Sequence, residues 1–306
     1  MNIFSFTVFQ GVPKINFLKL RLFFYPFFIT LIILSFLIFG IKGLNLGIEF
    51  VGGGSINFSL NDPCDISKIR KILDKPALKD IILQEVGENH TEFFLRIGSA
   101  STKYLGEKIS KVKYELDSNF PNINYKEFSI IGPQIGKQVF NAGILSVFIS
   151  FLVIFFYIWI RFNLLFSFGI LLTILNNLIL SFGFLSLFNL EINLQIVAAI
   201  LTIIGYSIND SVVVYDKVRN NLKNKTILGL KENFVLSINQ SLTRTLITSI
   251  TSLASNLVLI FYGGEAIANF AILVFAGIFL GTVFSIFLAA PVIYDLAKIK
   301  ILKSIL

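Results

Sequence analysis

The sequence predicts a polytopic α-helical membrane protein with six transmembrane helices and one α+β domain inserted between helices 1 and 2. Three observations predict it. The 306 residues are 55% hydrophobic, with 34 Phe and a mean hydropathy of +0.80, above the ~45–50% apolar share of ordinary globular chains. Uncharged apolar runs recur at the ~18–20 residues that cross a bilayer. Between the first two runs lies a stretch of alternating and amphipathic pattern that reads as soluble structure.

The spans read as residues 22–41, 138–160, 164–187, 193–215, 245–262 and 266–291. An even number places both termini on one side. Lys14, Lys19 and Arg21 precede the first span, and Arg161 follows the second. Lys217, Arg219, Lys223, Lys225 and Lys231 follow the fourth, and Lys298, Lys300 and Lys303 end the chain. The short opposite loops, "FNLEIN" and "YGGEAI", carry only Glu191 and Glu265. The positive-inside rule makes the basic side cytoplasmic. The expected division is a cytoplasmic N-terminus (1–21), a first helix (22–42), an external domain (43–134), a five-helix bundle (135–292) and a cytoplasmic C-terminus (293–306). No small-residue cleavage site follows the first apolar run, so that run is expected to remain as an anchor.

Within the insert, "SINFSL" reads as a strand. "DISKIRKILDK" is amphipathic behind an Asp65 cap, with Ile66, Ile69, Ile72 and Leu73 on one side. "LKDIILQEV" and "TEFFLRIG" read as strands around the turn "GENH". "STKYLGEKISKVKYELDSNF" reads as a second amphipathic helix, and "INYKEFSII" as the closing strand. The order βαββαβ is that of a ferredoxin-like split βαβ unit.

Several functions find no support. The single Cys64 allows no disulfide within the chain. His90 reads as an exposed turn residue, and no Cys, His or acidic cluster has zinc-like spacing. "GIEFVGGG" lacks the Gly-Lys-Ser/Thr ending of a phosphate loop, so its glycines read as a tight strand junction. No metal, nucleotide or other cofactor is expected. The net charge of +8 reflects where Lys and Arg sit along the spans, and no nucleic-acid partner is expected.

The informative residues are polar ones inside apolar spans. Asp210 follows "NLQIVAAILTII" with no counter-charge nearby in sequence. An acid at mid-span costs roughly 2.5–3.5 kcal/mol on insertion scales. Span five offers Arg244 as a cation, at roughly the depth of Asp210. Ser237, Ser241, Arg244, Thr248, Ser252 and Ser255 recur at steps of three or four and share one helix side. Such a stripe either glues helices or lines a wet path; Arg244 either meets an anion or snorkels to the headgroups. Tyr206 and Ser207 lie one turn before Asp210, within reach of it. Asp216, beside Lys217, reads as a boundary residue. Asn176 and Asn177 read as interhelical hydrogen-bonding groups, and Gly277 with Gly281 as a close-packing GxxxG pair. Paired with a guanidinium the acid stays ionised; separated and desolvated, it favours its proton. A motion that moves the pair would thus take up a proton on one side and release it on the other. Two carboxylates sharing one site, as an aspartyl protease requires, are not indicated: Asp210 and Asp216 lie on different faces at different depths. No enzyme activity is expected.

Three stretches resemble motifs of the SecF family of protein-export membrane subunits. They are "GYSINDSVVVYDKVRNN", "SINQSLTRTLITSITSL" and "GGEAIANFAILVFAGIFLGTVFSIFLAAPV". "GIEFVGG" and "IGPQIG" resemble the family's motifs flanking the external domain, with glycines 47, 52, 53, 132 and 136: Gly47, Gly52, Gly53, Gly132 and Gly136. Glu49 stands where the family has Asp, Ser211 where it has Thr, and Lys217 where it has Arg. The resemblance implies pairing with SecD in a pseudo-symmetric unit similar to resistance-nodulation-division exporters. It also implies association with the SecYEG channel and YajC in the bacterial inner membrane, and use of the proton-motive force to draw unfolded polypeptide outward late in translocation. The family's proton-pathway Asp and Arg map onto Asp210 and Arg244; Tyr206, Ser207 and Thr248 read, from their spacing alone, as supporting polar groups. Rival readings are half of a proton-coupled small-molecule exporter and a passive structural subunit.

Overall fold

The computed structural model describes residues 15–75, 81–86, 90–98, 102–223 and 229–305. Among them six helical stretches are long and apolar enough to cross a membrane. They are α1 (Phe17–Lys42), α5 (Pro133–Arg161), α6 (Leu164–Leu187), α7 (Leu194–Lys223), α8 (Leu230–Tyr262) and a final continuous stretch. That stretch comprises α9 (Glu265–Phe284), a π-helical turn (Ser285–Ala289) and α10 (Ala290–Ile305). A four-residue helix, α2 (Ile48–Val51), precedes the insert. All six expected spans are present, but several helices run beyond the apolar runs. The 33 residues of α8 span ~50 Å, against ~30 Å of hydrocarbon. Its first turns carry Asn233, Ser237 and Ser241, which are buried against neighbouring helices. Protein packing, not apolar character, keeps them helical.

By its contacts the chain forms two compact units: residues 45–146 with 191–194, and the remainder. The smaller contains β1 (Gly53–Ser59), α3 (Ile66–Leu73), β2 (Ile81–Val86), β3 (Glu92–Ile97), α4 (Thr102–Asn119) and β4 (Asn124–Ile131). The sheet order is β2-β3-β1-β4, every pair antiparallel. This is the βαββαβ arrangement expected. Ile56 of β1 lies opposite Leu95 of β3 and Phe128 of β4, and a bulge follows at Asn57/Phe58. Period-two burial of Phe93, Leu95 and Ile97 meets the helical rows Ile69/Leu73 and Leu105/Ile109/Val112/Leu116 in one apolar core. Asp65 caps α3, accepting from the Ser67 amide at 2.9 Å. Residues 87–89 of the expected "GENH" turn lie outside the described residues; His90 is exposed, with φ +54°. Cys64 is half-buried at the edge of this core.

At the foot of this unit the motif glycines permit close backbone approach. Gly52 has φ +82°, and a Cβ there would meet Pro133 Cα at 2.7 Å. A Cβ on Gly136 would lie 2.9 Å from the Phe50 carbonyl oxygen. The glycine pair thus lets α5 start directly against α2.

In the larger unit α6 is the most enclosed helix, while α1 and the membrane portion of α5 leave most side chains outward. α7 contributes Ile196, Ile200, Ile203 and Ile204 to the interior. Gly277 of the GxxxG pair admits Ile203: a Cβ there would lie 2.4 Å from its Cγ1. Arg21 pairs with Asp295 at 3.2 Å. Asn239 binds the Ile15 backbone in both directions, accepting at 3.1 Å and donating at 2.8 Å.

Candidate functional site

Asp210 sits midway along α7 and is 6% exposed. Its Oδ2 accepts from Ser249 Oγ of α8 and Thr282 Oγ1 of α9, both at 3.1 Å. The two hydroxyl oxygens are 2.7 Å apart. One turn along α7, Ser207 receives a hydrogen bond from Asn177 of α6 at 2.7 Å, and Asn177 also donates to the Gly277 carbonyl at 2.9 Å. A polar centre thus joins α6, α7, α8 and α9 inside an apolar bundle. Asn176, by contrast, donates to Leu172 in its own helix, so only Asn177 is an interhelical link of the two.

Ser249 and Thr282 escaped the sequence reading. The buried polar seam of α8 runs through Ser237, Ser241, Thr245 and Ser249, the i, i+4 row, which drifts about 40° around the helix per step. The expected stripe through Arg244, Thr248 and Ser255 turns away from that seam: Arg244 and Ser255 are exposed and Thr248 is half-buried. Thr282 follows Gly281 of the close-packing pair, and that adjacency was its available signal.

Arg244 does not reach Asp210. Two cross-links define how α7 and α8 run past each other. Asn221 donates to Ser237 and Gln240, and further up Asp210 meets Ser249. Arg244 then falls level with Tyr215, about one and a half turns or ~7.5 Å nearer the basic end than Asp210. Equal depth, as expected from the apolar boundaries, is therefore corrected by the helix register. Arg244 lines a cleft of about 430 Å³ with Arg161, Gly205, Asn209, Lys217 and Gln240. Among the described residues it forms no ion pair with an acid. Tyr206 is 39% exposed, and Ser207 binds Asn177, so neither bonds Asp210. Thr248 bonds the Arg244 and Thr245 carbonyls of its own helix. Asp216 binds Arg219 at 3.3 Å and Asn220 at 3.1 Å, so Asp210 and Asp216 do not share a site. Gly47, Gly52, Gly53, Gly132 and Gly136 belong to the other unit, at the foot of the sheet.

Six spans, an antiparallel α+β insert and a buried acid bound by hydroxyls from two neighbouring helices define a polytopic transport-type membrane subunit. The family model described as "Protein export membrane protein SecD/SecF, C-terminal" matches residues 111–299. A protein translocase subunit SecF from Rickettsia rickettsii is 41% identical over 307 aligned positions, covering 100% of this chain and 99% of that protein. The SecF of Rickettsia bellii is 40% identical over 99% of this chain and 100% of its own. The crystal structure of SecDF, a translocon-associated membrane protein from Thermus thermophilus, superposes with a TM-score of 0.86 at 28% identity over 95% of this chain. A SecDF crystal structure in a super-membrane-facing form gives 0.72 over 97%. The chain spans about 40% of the length of each of those two SecDF chains. It belongs to the SecF family of bacterial protein translocase subunits.

Proposed function

We propose that this chain works with a SecD-type partner in the bacterial inner membrane, drawing polypeptide outward with energy from the proton-motive force. The basic ends favour cytoplasmic termini and a periplasmic α+β domain. The chain spans about 40% of the SecDF chains it resembles, which supports a second subunit supplying the other half. Association with SecYEG and YajC, the absence of a cofactor, and transport without covalent catalysis are part of the same reading.

The observation that carries it is Asp210. It is buried in the bundle interior and, among the described residues, has two hydroxyl donors and no cation paired with it. A carboxyl so placed is costly when charged, and intramembrane acids of this kind commonly mark proton relays. Moving one proton through 100 mV yields ~2.3 kcal/mol, enough to bias two bundle arrangements roughly fortyfold. Arg244, facing the basic-side cleft, is the cation that a second arrangement would bring toward the acid.

Asp210→Asn keeps the shape and removes the titration. Export that depends on the proton gradient should fall to the level of a strain lacking this chain, with the protein still inserted and partner-bound. Normal gradient-dependent export by that variant, at equal protein level, would sink the proton-site reading.

A further inference from the structure

Thr282 Oγ1 has three hydrogen-bonding neighbours: Asp210 Oδ2 at 3.1 Å, Ser249 Oγ at 2.7 Å and its own helix's Ile278 carbonyl at 2.9 Å. A hydroxyl carries one proton to donate, so one of the three is served at a time. Ser249 has the same choice between Asp210 and Thr282. The charge state of Asp210 decides these choices. An ionised carboxylate only accepts, and bonds to it are the stronger ones, so both hydroxyls turn to it. A protonated Asp210 becomes a donor. Keeping its proton, it then donates a hydrogen bond to one hydroxyl, and Thr282 is free to turn to the Ile278 carbonyl.

Where that turn occurs matters. A Thr bonded to its own i−4 carbonyl tends to bend its helix. Three residues on, Ser285 opens the π-helical turn and donates to the Thr282 carbonyl at 2.8 Å. Such turns are frequent at functional sites. Among the described residues of the helices that meet here, no other charge stands at the site. Charged residues are absent from α6; α9 has only Glu265, at its first position; α8 has Lys231, Glu232 and Arg244. On α7 the nearest, Asp216, is held by Arg219.

We propose that Thr282, with Ser249, is a positioning pair that senses whether Asp210 carries its proton and relays that state, as a change of hydrogen-bond partner, to the π-helical turn of the sixth span. The inference rests on the proton-site reading above. It assigns the conformational response to α9–α10, through a hydroxyl that changes partner.

The test uses the full chain in membranes with its partner. Three variants serve: Thr282→Val removes the hydroxyl at constant shape, Thr282→Ser keeps it, and Ser249→Ala removes the second donor. Infrared difference spectra identify the Asp210 carboxylate band as the one absent from Asp210→Asn. The expected result for Thr282→Val is a shift of that band, because the ionised carboxylate loses one of its two hydroxyl donors. Gradient-driven export should fall toward the Asp210→Asn level, and Thr282→Ser should restore both. An unmoved band, wild-type export by Thr282→Val, or failure of Thr282→Ser to rescue would overturn the pair's role. Should Thr282→Val fail to accumulate, Ser249→Ala carries the same band and export test. If Asp210→Asn itself exports normally, the proton-site reading falls instead, so the two failures are distinguishable.

Discussion

Asn177 and Arg244 show how differently two polar residues can be placed in one bundle. Asn177 is fully buried and links α6 to both α7 and α9. Interhelical hydrogen bonds in membranes average about 0.6 kcal/mol, with a maximum near 1.7. Replacing Asn177 with Ala should therefore lower bundle stability by roughly 1–2 kcal/mol. Asn176→Ala should cost less, since its bond lies within one turn of α6. Denaturant titration of the purified protein in detergent compares the two. Arg244 makes the opposite case. It lies off the buried seam and does not touch Asp210, so in this arrangement the two substitutions should act independently on stability. Residues without shared partners add within about 0.3–0.5 kcal/mol. A thermal-unfolding cycle over Asp210→Asn, Arg244→Ala and the double variant checks this. Coupling well above that range would mean that a directly paired arrangement dominates. Loss of export in Arg244→Ala with additive stability would place its role in another step of the cycle.

Among the elements, the foot of the α+β unit is built by two glutamates acting reciprocally. Glu49 of α2 accepts from the Leu194 amide, the first residue of α7. Glu191, in the preceding turn, accepts from the Ile48 amide at the start of α2. A parallel bridge between Leu46 and Ile192 closes the arrangement, with the Gly47 amide donating to Ile192 at 2.8 Å. Burial raises the Glu191 carboxyl above the ordinary range, Arg96 opposes that shift, and Glu49 adds to it. The folded state thus holds the Glu191 proton more tightly than the unfolded one. Its contribution to stability is full at acidic pH and is lost as pH rises through the raised value. Glu191→Gln, always neutral and still an acceptor, should be relatively more stable than the parent at neutral pH and equal to it in acid. Melting curves across a pH series read this directly; a constant difference at every pH would contradict it. The glycine pair offers a second check. Gly52→Ala meets both a positive φ and the Pro133 backbone, so it should destabilise the unit by about 1–3 kcal/mol.

For the whole molecule, the expectation to test is sidedness. α4 turns Leu105, Ile109, Val112 and Leu116 inward and leaves Lys111 exposed. With Cys64 replaced by Ser, a single Lys111→Cys should react with a membrane-impermeant thiol reagent added from outside. Labelling only from the cytoplasmic side would invert every span. The same experiment on a Cys in the exposed basic end of α7, at Lys217, should give the reverse pattern.

Six spans and the βαββαβ insert were legible in the residues because each rests on local signals. Apolar run length marks a span, and period-two or 3.6-residue burial marks a strand or helix. The buried acid was legible for the same reason: nothing near Asp210 in sequence answers its charge. Its partners were not. Ser249 and Thr282 lie 39 and 72 positions away, and a hydroxyl in a span looks alike whether it glues helices or faces a carboxylate. Which side chain of α8 meets α7 depends on how the two helices cross and slide. A shift of one residue turns a helix face by about 100°, enough to exchange Ser249 for Thr248 or to carry Arg244 away from Asp210. Local pattern in the residues specifies the elements and the acid's predicament. That hydroxyls answer it and that Arg244 stands apart at the cleft follows from the folded bundle, because register and crossing are set by packing between helices.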